Sequence, residues 1–185
     1  MHHSLKLYSR NRELFLKCYI FLAGWTRIPV IGKLVRAVAN LYGKNVSSGY
    51  LLTLKEAAQI IDLSQGVALG PCTCRAVFRN CDKPIDTEIM IGLSRNIFLH
   101  ERPQDYREIT RQEAMDVLRQ CHRSGLVHTI IKCRKDFYAI CNCCSCCCVP
   151  LRLNRQYGIG NALARNKDIV GEFKASVYRL SGESR

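Results

Sequence analysis

Leu126-Val-His-Thr-Ile-Ile131, then Arg134-Lys-Asp136, then Phe137-Tyr-Ala-Ile-Cys141-Asn-Cys-Cys-Ser-Cys-Cys-Cys148 is the stretch whose reading decides the fold. Two apolar runs of strand length joined through a short charged turn predict a β-hairpin. Its second strand runs into Cys141, Cys143, Cys144, Cys146, Cys147 and Cys148, six thiols in eight residues. A core that needs small apolar residues takes Ala or Val without the oxidation risk, so packing does not explain that density. A disulfide knot does not suit it either, because bridged cysteines need Cα atoms roughly 4.4–6.8 Å apart with their Cβ atoms facing. Metal ligation does. Cys143 with Cys146, and Cys144 with Cys147, have the C-x-x-C spacing at which a tight turn brings two thiolates to one centre.

Upstream, Thr110-Arg-Gln-Glu113 is a capping box that starts a helix running to about Arg123 and stopping at Gly125. The same arrangement stands earlier. Thr53-Leu-Lys-Glu56 opens a helix to about Leu63, Gln65-Gly66 ends it, and Val67-Ala-Leu69 predicts a short strand. Gly70-Pro71 then delivers Cys72 and Cys74, with Cys81 seven residues on. In an extended segment residues i and i+2 face one side, so Cys72 and Cys74 are expected to address one centre together. If the strands share a sheet, the groups 72–81 and 141–148 meet. The class is therefore α+β: helices with short strands and a β-hairpin, a winged-helix-like outline, and cysteine-rich loops that bind a cluster. The expected organisation is a basic amphipathic helical region at 1–52, a cysteine-rich domain at 53–155 and a peripheral tail at 156–185.

The chain's formal charge of +13 is uneven. Residues 56–149 hold 12 basic and 11 acidic side chains, residues 1–55 hold nine against one, and residues 150–185 seven against three. The ends carry the excess, and basic arms seek phosphate, an anionic membrane face or an acidic protein. Residues 5–44 read as two amphipathic helices broken at Ile28-Pro29, the second from about Val30 to Tyr42. The apolar run Cys18–Trp25 is bracketed by Lys17 and Arg27 and is far short of the about 20 residues that a bilayer span needs. Two readings of this helix pair stand: helices lying on a membrane surface or a partner, or helices packed on the domain with a solvated basic face. The run lacks the cleavage site of a signal peptide, which together with free thiols gives a reducing, cytoplasmic compartment as the expectation.

Other candidates carry little. His100, His122 and His128 are scattered, and His128 in an apolar strand reads as structural. His2 and His3 stand at the terminus. Arg75 either hydrogen-bonds a cluster sulfur or is an ordinary surface arginine. No Gly-rich phosphate loop and no catalytic triad pattern is present, so the chain reads as a carrier or accessory protein rather than a stand-alone enzyme. Thiolate-only sites select zinc or iron–sulfur clusters. Structural zinc takes well-separated C-x2-4-C pairs, whereas a cubane takes one thiolate at each of four corners and suits crowded cysteines better. Nine cysteines, Cys72, Cys74, Cys81, Cys141, Cys143, Cys144, Cys146, Cys147 and Cys148, suffice for one or two 4Fe-4S clusters.

Pro71-Cys-Thr-Cys-Arg75, Cys81-Asp-Lys-Pro84, the Ile109-Thr-x-x-Glu-Ala114 helix start, Gly125-Leu-Val-His128 and Ile140-Cys-Asn-Cys-Cys-Ser-Cys-Cys-Cys148 together resemble a family of prokaryotic 4Fe-4S binding proteins related to ferredoxins. The similarity covers about residues 53–155. It implies that the nine cysteines are the family's cysteine positions and that a cluster is the cofactor. Members often carry a further Cys where this chain has Glu88, so the first group holds three thiols. A thiol from 141–148 completes it, or Glu88 or an external ligand caps the fourth iron. Many members continue into a two-cluster ferredoxin domain with C-x-x-C-x-x-C repeats, of which residues 156–185 hold none.

Electron transfer or a redox accessory role, with a redox partner protein, is the functional expectation. The alternatives are a redox- or metal-sensing nucleic-acid-binding protein of winged-helix type, which the mild charge of the 111–123 helix disfavours, and a structural zinc protein. Cys18, Cys121 and Cys133 stand apart as packing thiols. Replacing Cys121 or Cys133 by Ala is expected to leave the metal content of the purified protein unchanged; loss of metal from either variant would show the ligand set to be wrongly drawn.

Overall fold

The computed structural model describes residues 2 to 182, with side chains from residue 6 to residue 179; the side chains of His2 and His3 lie outside that range. The helices are α1 (His2–Gly24), α2 (Ile31–Asn45), α3 (Leu54–Leu63), α4 (Thr73–Phe78), α5 (Gly92–Glu101), α6 (Arg111–Arg123), α7 (Val149–Tyr157) and α8 (Ile169–Gly182). The strands are β1 (Ser47–Leu52), β2 (Val67–Pro71), β3 (Asp86–Ile91), β4 (Arg107–Ile109), β5 (Val127–Cys133), β6 (Asp136–Cys143) and β7 (Leu163–Ala164). They form one sheet in the order β4-β2-β3-β6-β5-β1-β7, antiparallel except for the β1–β7 pair. The fold is α+β, with helices on both faces of the sheet.

Both capping boxes form. Thr53 accepts from the Glu56 amide and Thr110 from the Glu113 amide, and each Glu side chain returns to the amide of its Thr. α6 ends where Gly125 takes φ +70°, a conformation that costs a residue without Cβ least. The hairpin turn is Arg134-Lys135, with β5 and β6 paired from Val127–Cys143 to Cys133–Asp136. That hairpin is not a free wing. β3 pairs with β6 and β1 with β5, so the helix-and-hairpin outline is enclosed in the middle of the sheet.

Alternation along the strands divides the interior in two. One face, with Val67, Leu69, Ile89, Ile91, Ile130 and Ile140, buries under α3, α6 and α8. The other, with Ala68, Met90, Ile131 and Ala139, buries under Phe98 of α5 and Tyr8 of α1. Gly70 lies on this side, where a Cβ would come within 2.1 Å of the Tyr106 ring.

The ends of the chain are built in rather than appended. β1, from within the basic N-terminal region, pairs with β5 along its length. Residues 156–185, expected as a peripheral tail, supply β7 and place Ile169 and Phe173 in the main core, with Phe173 edge-on to Phe137 at 5.7 Å. Short-range pattern could not reveal this, because some partners of these residues lie more than a hundred positions away. Among the described residues no helix is long and apolar enough to cross a membrane.

Phe173→Ala is expected to cost about 3–5 kcal/mol in chemical denaturation, the usual range for emptying a buried aromatic site. A peripheral tail would give a change near zero.

Candidate metal centre

Strands β2 and β6 are both antiparallel to β3, so they run in the same direction and their C-terminal ends leave the sheet at one edge. β2 delivers Cys72 and Cys74 there, and β6 delivers Cys141 to Cys148. β3 starts at that edge, which brings in the preceding loop with Cys81. The two groups seen in the sequence therefore meet, but they do not survive as groups.

Cys81, Cys144, Cys146 and Cys147 form a quartet whose Sγ atoms all lie within 4.8 Å of one another, and these four could hold a metal ion. Cys81 Sγ is 3.7 Å from Cys144 Sγ and 3.8 Å from Cys147 Sγ, and Cys146 and Cys147 are 3.9 Å apart. Four thiolates around one tetrahedral ion with bonds of about 2.3 Å stand about 3.8 Å apart, so the quartet has the size of a single-ion cage. Asn80 anchors it: its backbone N–H donates to Cys147 Sγ at 3.3 Å and its side chain to the Cys146 carbonyl at 3.0 Å.

The remaining five, Cys72, Cys74, Cys141, Cys143 and Cys148, line a partly open cavity of about 530 Å³ between the sheet edge and helices α1 and α2. Thiol contacts run from Cys141 to Cys143, on to Cys148 and on to Cys74. Cys143 and Cys144 belong to different sets because neighbours at a strand end point to opposite sides. Cys72 and Cys74 address this set from a helix start rather than from an extended segment, since Cys72 is the N-cap of α4. Glu88, one of the alternative caps for a fourth iron, faces the same cavity: Cys141 Sγ donates to Glu88 Oε1 at 3.3 Å. The carboxylate is also clamped by Arg12 of α1, which donates to both its oxygens, and by the Tyr106 hydroxyl at 3.2 Å.

Arg75 is 1 % exposed and ties the carriers of the cysteines together. It donates to the Pro84 carbonyl at 2.7 Å, to the Asn142 carbonyl at 2.7 Å and to Thr87 Oγ1. It forms no ion pair with a carboxylate among the described residues. Burial opposes its charge, and the thiols of Cys72, Cys144 and Cys143 around it outweigh that and raise its pKa. Asn142 completes the frame by donating to the Thr87 carbonyl at 2.7 Å and accepting from His128 Nδ1 at 2.6 Å. His128 is thus buried, structural and biased to the neutral form, chiefly by desolvation. The sequence pointed to Arg75 only through its place after Cys74, and gave no sign of Asn142, Thr87 or Arg12.

Each set holds one thiol biased toward the thiolate. Burial pushes Cys144 up, but the Cys147 amide, the Cys146 thiol, Arg75 and Cys81 outweigh it and bring the group down to about 7. Its neighbour Cys147 is pushed up to about 12 by burial. In the cavity set, hydrogen bonds from Cys141 and Cys148 hold Cys143 well below the ordinary thiol range, while Cys141 and Cys148, bonded to Cys143, rise well above it. Cys121 packs against Cys144 and Cys147 without joining the quartet, and burial raises it to about 11. Cys133 is half-buried against the core cluster of Ile131 and Tyr138, outside the quartet, and Cys18 is exposed. No protein-family model, curated protein or solved structure matches the chain.

A thiol whose pKa is depressed on folding stabilises the fold fully above its unfolded value, and that contribution is lost as pH falls through the folded value. For Cys144 the window runs from about 9 down to about 7. In metal-free protein, the rise in denaturation midpoint across that window is expected to flatten in Cys144→Ala; an unchanged slope would mean that Cys144 is not held as thiolate.

Proposed function

We propose that the protein is an iron–sulfur protein of the 4Fe-4S type, acting in electron transfer or as a redox accessory subunit, with the nine clustered cysteines as its ligand pool. The observation that carries this reading is Arg75. A fully buried guanidinium must be compensated, and here its neighbours are thiols rather than carboxylates. The site is electrostatically prepared for thiolate ligands of a centre with negative charge. Two thiol sets fed from one sheet edge also exceed what one structural zinc ion uses, since zinc takes four ligands and would leave five buried or half-buried thiols without a purpose. The resemblance of the five motifs to 4Fe-4S binding proteins supports the same reading. When bound, such a cluster supplies one-electron redox chemistry. The chain's own part is to orient the thiolates through Asn80, Asn142 and Arg75 and, on the cavity side, to shield them from water beneath α1 and α2.

One observation favours a second reading. Sulfur spacings of 3.7 to 3.9 Å in the quartet suit one tetrahedral iron or zinc ion, and a cubane would require the quartet to open by the width of its core. The quartet's residues lie on the turn 144–147 and the loop before β3, outside regular structure, where such opening is least costly.

Anaerobic purification followed by iron, zinc and acid-labile sulfide analysis separates the readings. The expected result is a brown protein with about four or eight irons and matching sulfide per chain. One metal without sulfide establishes the single-ion site instead, and a colourless protein holding stoichiometric zinc would overturn the redox role. Arg75→Met is expected to lower metal content markedly in either case.

A further inference from the structure

Fifteen large apolar side chains are exposed among the described residues, and twelve of them lie between Leu7 and Tyr42, on α1, α2 and their connection. Their exposure is high for such residues: Val30 84 %, Phe21 68 %, Leu34 66 %. They fall at helical spacing, Leu14 and Phe21 on α1 with Trp25 just past its end, and Leu34, Val38 and Leu41 on α2, so each helix turns an apolar face outward. The two outward faces are joined: Tyr19 and Tyr42 touch through their hydroxyls at 3.0 Å, and Trp25, Leu34 and Val38 line the same cavity. A soluble surface rarely carries an apolar area of this extent without something to cover it.

The charges around it say what covers it. Between residues 6 and 45 there are eight basic residues and one acidic residue, Glu13. Arg12 is committed to Glu88, and Lys6 and Arg10 face Glu101. Lys17, Lys33 and Lys44 are exposed and have no carboxylate in ion-pair distance among the described residues. A second copy of the chain would bring like charges together. An anionic surface that is apolar just beneath its charge meets both requirements, and aromatic rings beside lysines are the signature of an interfacial helix.

We propose that the α1–α2 face docks on an anionic lipid bilayer, lying in the headgroup region without crossing it. The cavity opens on this same face through Trp25, Leu34 and Val38, so the bilayer also caps the chamber floored by Cys72, Cys74, Cys141, Cys143 and Cys148. The proposal stands on the exposed face and its charges, and it holds whichever metal the thiols carry.

Cosedimentation of the full chain with vesicles tests it, using phosphatidylcholine alone against phosphatidylcholine with about one part in three of phosphatidylglycerol. Binding is expected to the anionic vesicles only, and to weaken with salt. The paired substitution Phe21→Ser with Leu34→Ser, both at exposed positions, is expected to weaken binding roughly tenfold or more. Lys17→Glu, Lys33→Glu and Lys44→Glu are each expected to weaken it about fivefold at low salt. Circular dichroism and metal content should match the parent in all of these. Failure to sediment with anionic vesicles at low salt overturns the proposal, as does undiminished binding of the Phe21→Ser, Leu34→Ser variant. A lipid-free dimer that this variant dissociates also overturns it, by assigning the face to a second copy.

Discussion

A buried guanidinium with no carboxylate partner is the constraint on which the site depends. Arg75, itself on α4, reaches the loop before β3, β3 itself and β6 through three hydrogen bonds, and these are the segments that carry eight of the nine clustered cysteines or lead directly into them. Desolvating such a charge costs several kcal/mol unless compensating charge is close. Thiols are the groups available: those of Cys72, Cys144 and Cys143 favour the charged arginine, and the arginine in turn adds to the hydrogen bonds that bias Cys144 and Cys143 toward the thiolate. Neutral thiols would leave the cation unbalanced, and without the cation the thiolates would lie in an apolar interior.

Sheet direction makes that arrangement available. Because β2 and β6 flank β3 and both oppose it, their ends converge on one edge, and the loop into β3 starts from the same place. Strand alternation then sorts the crowded cysteines into an outer quartet at the loops and an inner set facing the cavity. The inner set is closed by the N-terminal helix, whose Arg12 reaches Glu88 in a buried ion pair. A region whose composition marks it as a basic arm thus forms a wall of the chamber on one side and an apolar, lysine-flanked surface on the other.

Much of this was legible from residues near one another in the chain. The two capping boxes, the hairpin, the break between α1 and α2 and the stop at Gly125 each depend on contacts within a few positions, and each appears where the spacing puts it. The segment 82–109 gave no such signals and turned out to supply β3, α5 and β4. Residues 156–185 lack strong periodicity, and their place in the core through Ile169 and Phe173 is fixed by partners on α3 and β6.

The sequence by itself determined the chemistry: thiolate density admits metal and excludes the other donor sets, because the identity of the ligand atoms is a property of the residues. Which thiol stands with which was decided only by the tertiary structure. Cys81 leaves Cys72 and Cys74 to join Cys144, Cys146 and Cys147, and Cys143 parts from Cys144. The grouping depends on strand direction, on the face each Cβ takes and on a buried arginine whose partners lie up to 67 residues away. None of these is a function of spacing along the chain.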